Sequence, residues 1–239
     1  PLLLTVGAEA LQGHNERMFA YEGEEPLPMH NGPRLGVGWI KVGPDLGHNQ
    51  SLTFGASVGN GRHQEIHEES MGTNNYLDGM SWFFGADVLY QYAAHGDQGQ
   101  GDFAFQAEYF HRNKDLNLDA SDDPAAALGD NLDSTQDGYY AQALYGFLPR
   151  WRGGLRWEQI GLTNESKEPG EVSENFGDSW RATAMLDFSP SPKSVLRFQV
   201  SNGDYDTEEG AENVWEAYMQ LVVTLGSHRH KDGQICSGH

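Results

Sequence analysis

The chain has 239 residues, a formal net charge of −20 and a mean hydropathy of −0.62. That charge argues against gripping nucleic acid by its phosphates, and a single cysteine, Cys236, excludes an internal disulfide framework. No run approaches the roughly 18 consecutive apolar residues of a membrane helix, but a spanning sheet alternates apolar and polar residues and stays hydrophilic on average.

The chain begins at Pro1 with no initiator Met and no signal peptide, and enters an apolar strand at once, as a processed or truncated start would. Weak period-two alternation marks strands near Leu2–Leu11, Arg34–Val42 and Gln50–Val58. The clearest alternation follows: Trp82, Phe84, Ala86, Val88, Tyr90 and Tyr92 on one face, Ser81, Gly85, Asp87 and Gln91 on the other. Phe103, Phe105, Ala107 and Tyr109 stand against Asp102, Gln106 and Glu108, and Tyr139 to Phe147 repeats the pattern. Trp151, Gly153, Leu155 and Trp157 alternate with Arg152, Arg156 and Glu158. Trp180 to Phe188 alternates with Arg181, Thr183 and Asp187, and Leu196–Val200 and Trp215–Leu225 close the series. This predicts about ten strands of about 9–13 residues, the length a tilted strand needs to cross a bilayer.

The predicted connections alternate long and short. The long ones cover 13–32, 60–79, 113–136, 161–176 and 203–212; the short ones cover 43–49, 93–101, 148–150 and 189–193. The five long connections hold 23 acidic and 4 basic residues, so nearly all of the net charge sits at one end. Short periplasmic turns and long extracellular loops have this asymmetry in outer-membrane barrels. A soluble barrel of lipocalin type would alternate equally well. Aromatic residues at strand ends (Trp82, Tyr92, Trp151, Trp157, Trp180, Phe188, Trp215) favour interfacial girdles instead. The expected fold is an all-β, antiparallel transmembrane β-barrel over residues 1–226, with more strands expected upstream. Residues 227–239 form a His- and Cys-containing tail placed in the periplasm.

Several segments carry a resemblance. They are Phe84-Gly85-Ala86-Asp87-Val88-Leu89-Tyr90, Gln106-Ala107-Glu108-Tyr109, Gly138 to Tyr145, Arg150 to Trp157, and Ala184 to Ser191. Together they resemble a family of Gram-negative outer-membrane proteins labelled zinc-regulated outer-membrane receptors. Leu221 to His228 matches the family's last strand and its short Gly- and His-containing end. The resemblance runs from about residue 50 onward and implies a metal-related substrate. Two departures stand out. The family ends in an aromatic residue shortly after that His, and it is longer at its N-terminus, so this chain corresponds to its C-terminal portion. No plug domain is legible.

Four groups of residues are candidate sites. His63, Glu65 and His67 offer zinc ligands if 63–69 forms a helical turn, or else belong to a solvated acidic loop. His228, His230, Cys236 and His239 supply four N/S ligands suited to zinc or copper, or else form a disordered tail. Asp119, Asp122, Asp123, Asp130 and Asp133 suggest calcium, but their spacing fits no EF-hand and reads better as a flexible acidic loop. Asp87, Asp102, Glu108, Arg152, Arg156, Glu158, Arg181, Asp187 and Arg197 share the polar face and would line a pore, as a selectivity filter or as structural ion pairs. No nucleophile elbow or triad spacing appears, so no enzyme is expected. The expected function is a porin-like outer-membrane channel for small solutes or ions, metal-related by the resemblance. The alternative is a scaffolding barrel that anchors a periplasmic or surface partner. Expected partners are outer-membrane lipid and lipopolysaccharide, with divalent cations bridging its phosphates to loop carboxylates; a homo-oligomer and a periplasmic protein remain open.

Overall fold

A computed structural model describes residues 2–13, 19, 25–68, 72–126, 128–167, 174–175, 177–207 and 210–225. Among the described residues, twelve strands form one antiparallel sheet. They are β1 (Leu3–Leu11), β2 (Leu35–Gly43), β3 (Gln50–Glu68), β4 (Asn74–Tyr92), β5 (Phe103–Ser121), β6 (Asn131–Leu148), β7 (Trp151–Ile160), β8 (Glu165–Lys167), β9 (Glu174–Asn175), β10 (Ser179–Ser191), β11 (Ser194–Thr207) and β12 (Gly210–Val223). Ten of them follow one another as a continuous meander, β1 to β7 and then β10 to β12; β8 and β9 sit aside, with β8 paired to β6. This is the wall of an antiparallel β-barrel-like fold, and the ten expected strands are all present.

Through the middle of the sheet the register gathers most of the large apolar side chains on one side. Ala107 faces Ala141, Ala141 faces Trp157, Trp157 faces Ala182, and Leu186 faces Phe198, which faces Met219. Because side chains alternate with period two, a one-residue slip in any pair would mix the faces. We call this apolar side the outer face and the opposite side the inner face.

The lengths differ from expectation. β3, β4 and β5 each run 19 residues and β6 runs 18. The expected loops 60–79 and 113–136 are therefore mostly strand, and connections of 69–73 and 122–130 remain. Likewise β11 and β12 leave only 208–209 between them, against the expected 203–212. These extensions are polar on one face and carry buried groups on the other, so they show little apolar alternation while keeping strand hydrogen bonding. At the opposite end the short turns are tied to one another: Arg150 N donates to Gln98 O at 3.1 Å and Ser189 N to Arg150 O at 2.9 Å. Arg150 holds a positive φ of 70° in the turn between β6 and β7.

Within the extensions the sides exchange roles. Leu77, Leu116, Leu118 and Leu132 lie on the inner face and are almost fully buried, with Ala126 packed on them. Leu77 pairs Leu118 and Leu116 pairs Leu132. Leu118 N donates to Asp130 O and Gly129 N to Leu118 O, each at 2.9 Å, which ties the start of β6 to β5 beside them. The outer face here is exposed and polar, with Asp115, Asn117, Asn131 and Asp133.

Candidate functional site: the inner face of the sheet

Eight of the nine expected pore-lining residues share the inner face. The exception is Asp102, which lies in the turn before β5 and accepts from Ala94 N at 2.8 Å. One register row joins Gly55, Asp87, Glu108, Tyr140, Glu158 and Arg181 across β3 to β10. Gly55 permits this arrangement, because a Cβ there would stand 1.8 Å from Asp87 Oδ2. Gly59 likewise leaves room for the ring of Phe83.

The charges on this face are partitioned. Asp187 on β10 faces Arg152 on β7 and Arg197 on β11 by register, so it bridges both. Arg152 donates at 2.8 Å, and Arg197 donates through two nitrogens at 2.8 and 3.0 Å. Glu158 likewise takes Arg156 at 2.8 Å and Arg181 at 2.6 Å. The Asp187 group holds two guanidiniums to one carboxylate and so keeps a surplus positive charge, whereas a second carboxylate balances the Glu158 group. Arg181 also reaches Glu216, at 3.9 Å. Asp87 and Glu108, side by side on β4 and β5, enter no ion pair among the described residues. Tyr140 stands between the two zones: the Arg156 guanidinium lies 3.9 Å from its ring centre, and its hydroxyl accepts from Gln106 at 2.7 Å.

A groove of about 540 Å³ opens on the inner face beside Glu108. Three consecutive inward positions of β5 line it: Glu108, Phe110 and Arg112. Residues 136–140 of β6, Glu158 and Ile160 of β7 and Asn164 complete the wall. Phe110 stacks on Phe83 at 5.4 Å, and Phe83 meets Phe19 edge-on at 6.1 Å. Arg112 Nη2 donates to Gln136 Oε1 at 2.6 Å. The sequence reading passed over Phe83, Phe110 and Tyr140. Phe83-Phe84 and Tyr139-Tyr140 are doublets with one ring on each face, and only the parity of Glu108 with Phe110 and Arg112 could have assigned them.

The histidine cluster does assemble, but on a strand and not on a helical turn. His63, Glu65 and His67 alternate on the inner face of β3, where His63 is fully buried. His63 donates to Glu65 Oε1 at 2.6 Å and His67 to Oε2 at 3.0 Å, and the Lys114 ammonium also contacts Glu65. Burial alone would raise the Glu65 pKa. The histidine hydrogen bonds and the lysine outweigh it and hold the carboxyl well below the usual range. An ammonium thus occupies the place that a cation ligated by Glu65 would take. Among the described residues no group of three or more His, Cys, Asp or Glu is placed to hold a metal ion. His228, His230, Cys236 and His239 lie outside the described residues.

The five aspartates do not form a calcium loop, nor are they all in a flexible one. Asp119 lies on β5 and Asp133 on β6, where it accepts from Asn113 at 2.8 Å. Asp122 accepts from Asn74 N at 3.1 Å and Asp123 from Ala125 N at 2.8 Å.

No protein-family model matches the chain. An uncharacterized protein of Aquifex aeolicus (strain VF5) is 30% identical over 235 residues, which is 95% of this chain and 48% of that protein. The chain spans about half the length of that curated relative. Among solved structures, the outer membrane channel DcaP of Acinetobacter baumannii superposes with a TM-score of 0.40 at 10% identity, covering 92% of this chain and 71% of that one.

Proposed function

We propose that this chain forms part of the wall of an outer-membrane β-barrel that conducts small polar solutes or ions along its inner face. One observation carries the reading: over most of the sheet the molecule is inside out. Leu155, on a central strand, is 70% exposed and Val58 54%, whereas Asp187 is 1% and Ser201 4% exposed. Water would penalise such a contiguous apolar face, and a protein that kept it in water would aggregate. Lipid favours it, and a sheet whose backbone groups bond only to neighbouring strands satisfies the bilayer's demand on polar groups.

The apolar band has bilayer dimensions. From Trp180 to Phe188 the strand advances about 26 Å, or about 20 Å along the normal at a tilt of about 40°, near the ~25 Å band of outer-membrane barrels. Rings mark both of its edges: Trp157 stacks on Trp180 at 5.1 Å at one, Trp151 packs on Phe188 at 4.6 Å at the other. The exchange of faces in β3 to β6 begins beyond the first edge, where lipid would end. The extended, acidic end then faces the cell exterior, within reach of lipopolysaccharide phosphates through divalent cations. The short turns face the periplasm. The inner face is a conduit lined by charge and not a catalytic surface.

The test is conductance of the full chain in a planar bilayer. Steady single-channel steps in potassium chloride support the reading. A protein that inserts without conducting would instead be a scaffold.

A further inference from the structure

The groove on the inner face has a built polarity. Along β5, alternate residues present a carboxylate (Glu108), a ring (Phe110) and the edge of a largely buried guanidinium (Arg112, which also donates to Gln136), all lining one cavity. The other two carboxylates that border it are engaged, Asp137 by Thr163 N and Tyr109 and Glu158 by Arg156 and Arg181. Glu108 and Arg112 are four residues apart, about 13 Å along the strand. Asp87, directly opposite Glu108, doubles the negative charge at that end. In the middle, β6 places Gly138 opposite Phe110. A Cβ at Gly138 would come within 2.8 Å of Ile160 Cγ2, so any side chain there would intrude between Phe110 and Ile160. Glu108 enters no ion pair among the described residues, and Phe110 is 39% exposed, so both face the open groove.

A solute that fits has an ammonium at one end, a carboxylate at the other and an apolar group between them. We infer that the groove is a binding subsite for short zwitterionic peptides with a central apolar side chain. The N-terminus sits at Glu108 and Asp87, the side chain lies between Phe110 and Ile160, and the C-terminus meets Arg112. A volume of about 540 Å³ is within the ordinary range for small-ligand sites. The inference rests on the channel reading, because it makes this groove a station on the conducted path.

The test uses the full chain in detergent, titrated calorimetrically, and in a planar bilayer, where occupancy interrupts the current. The probes are alanyl-phenylalanyl-alanine, its N-acetyl form, its C-terminal amide, and triglycine. The parent peptide should bind about tenfold tighter than each of the other three, the order set by one charge-assisted hydrogen bond or one buried ring. Glu108→Gln should weaken the parent about tenfold and abolish the effect of N-acetylation, while the amide still discriminates. Phe110→Ala should bring the parent near triglycine. Equal affinity for all four probes on the unaltered protein would overturn the subsite, as would an N-acetyl effect that survives Glu108→Gln. Conductance without peptide binding overturns the subsite and leaves the channel. Discriminating binding without conductance supports the subsite and overturns the channel.

Discussion

Strands β3 to β6 pass through two sections of the molecule that obey opposite rules. Between Trp82 and Tyr90 the outer positions are apolar, exposed at Trp82 and Phe84 and half-buried at Ala86, Val88 and Tyr90, and the inner positions include Asp87. A few residues away on the same strands, Leu77, Leu116 and Leu132 lie on the inner side at 0–2% exposure, and Asp115 and Asp133 point outward. The hydrogen-bond ladder continues across the exchange, with one irregularity between Tyr76 and Leu77. On the channel reading, what changes is the medium that each face meets. A sheet in lipid hides its polar groups, and a sheet in water hides its leucines. On the proposed channel reading, the level at which the faces trade roles marks the membrane surface.

The sharpest way to break this comparison is to truncate one leucine in each section. Leu116→Ala should cost about 2–5 kcal/mol, because a fully buried side chain leaves a cavity. Hydrogen exchange at the β4–β5–β6 tips should report the loss. Leu155→Ala, on the outer face, should change stability in detergent far less. Similar losses at both positions would mean that the sections do not differ.

A charge on each face of the section proposed to lie in lipid comes next. Leu186→Arg and Phe198→Arg should each cost about 2–4 kcal/mol in lipid, and Gln199→Arg, on the inner face, much less. Urea unfolding from phospholipid vesicles measures all three. If Gln199→Arg is as costly, the outer and inner faces have been exchanged.

A smaller effect should separate the sections by pH. Glu65 titrates below its ordinary value of 4.5 in the folded state, so its contribution is complete above that pH. As pH falls below it, the unfolded chain takes up the proton more readily, and the stability of the distal section declines. Protease resistance of the β3–β6 tips should therefore fall below about pH 4.5, and Glu65→Gln should remove that dependence. A pH profile unchanged by the substitution would assign the loss to other groups.

The last prediction changes no stability and reports orientation. In a Cys236→Ser background, cysteines at Ser121 and Ser166 should react with a membrane-impermeant reagent in intact cells, and one at Ser191 should not. Reaction at Ser191 alone would place the short turns outside.

Alternation from Trp82 to Tyr92 and from Trp180 to Phe188 is enough to predict strands and their apolar side, because each such residue reports its own medium. The same rule puts Asp87, Glu108 and the arginines of β7, β10 and β11 on one face from their spacing alone. It failed where burial came from distant chain. His63 to His67 reads as a loop or a helical turn because nothing local tells that Lys114, some fifty residues on, completes the cluster. The stretches 60–79 and 113–136 read as loops because their buried face holds His, Gln and Glu among its leucines.

The sequence by itself determined the antiparallel strands, the apolar outer face, the concentration of acid at one end and the short turns at the other. All of these follow from period-two spacing and from turn residues that act locally. Only the tertiary structure decided which charges meet. Asp187 bridges Arg152 and Arg197 because register brings three strands level, and Glu108, Phe110 and Arg112 line one groove because Gly138 on the next strand carries no side chain. Register is set by the sum of many cross-strand contacts, and no single stretch of sequence contains that sum.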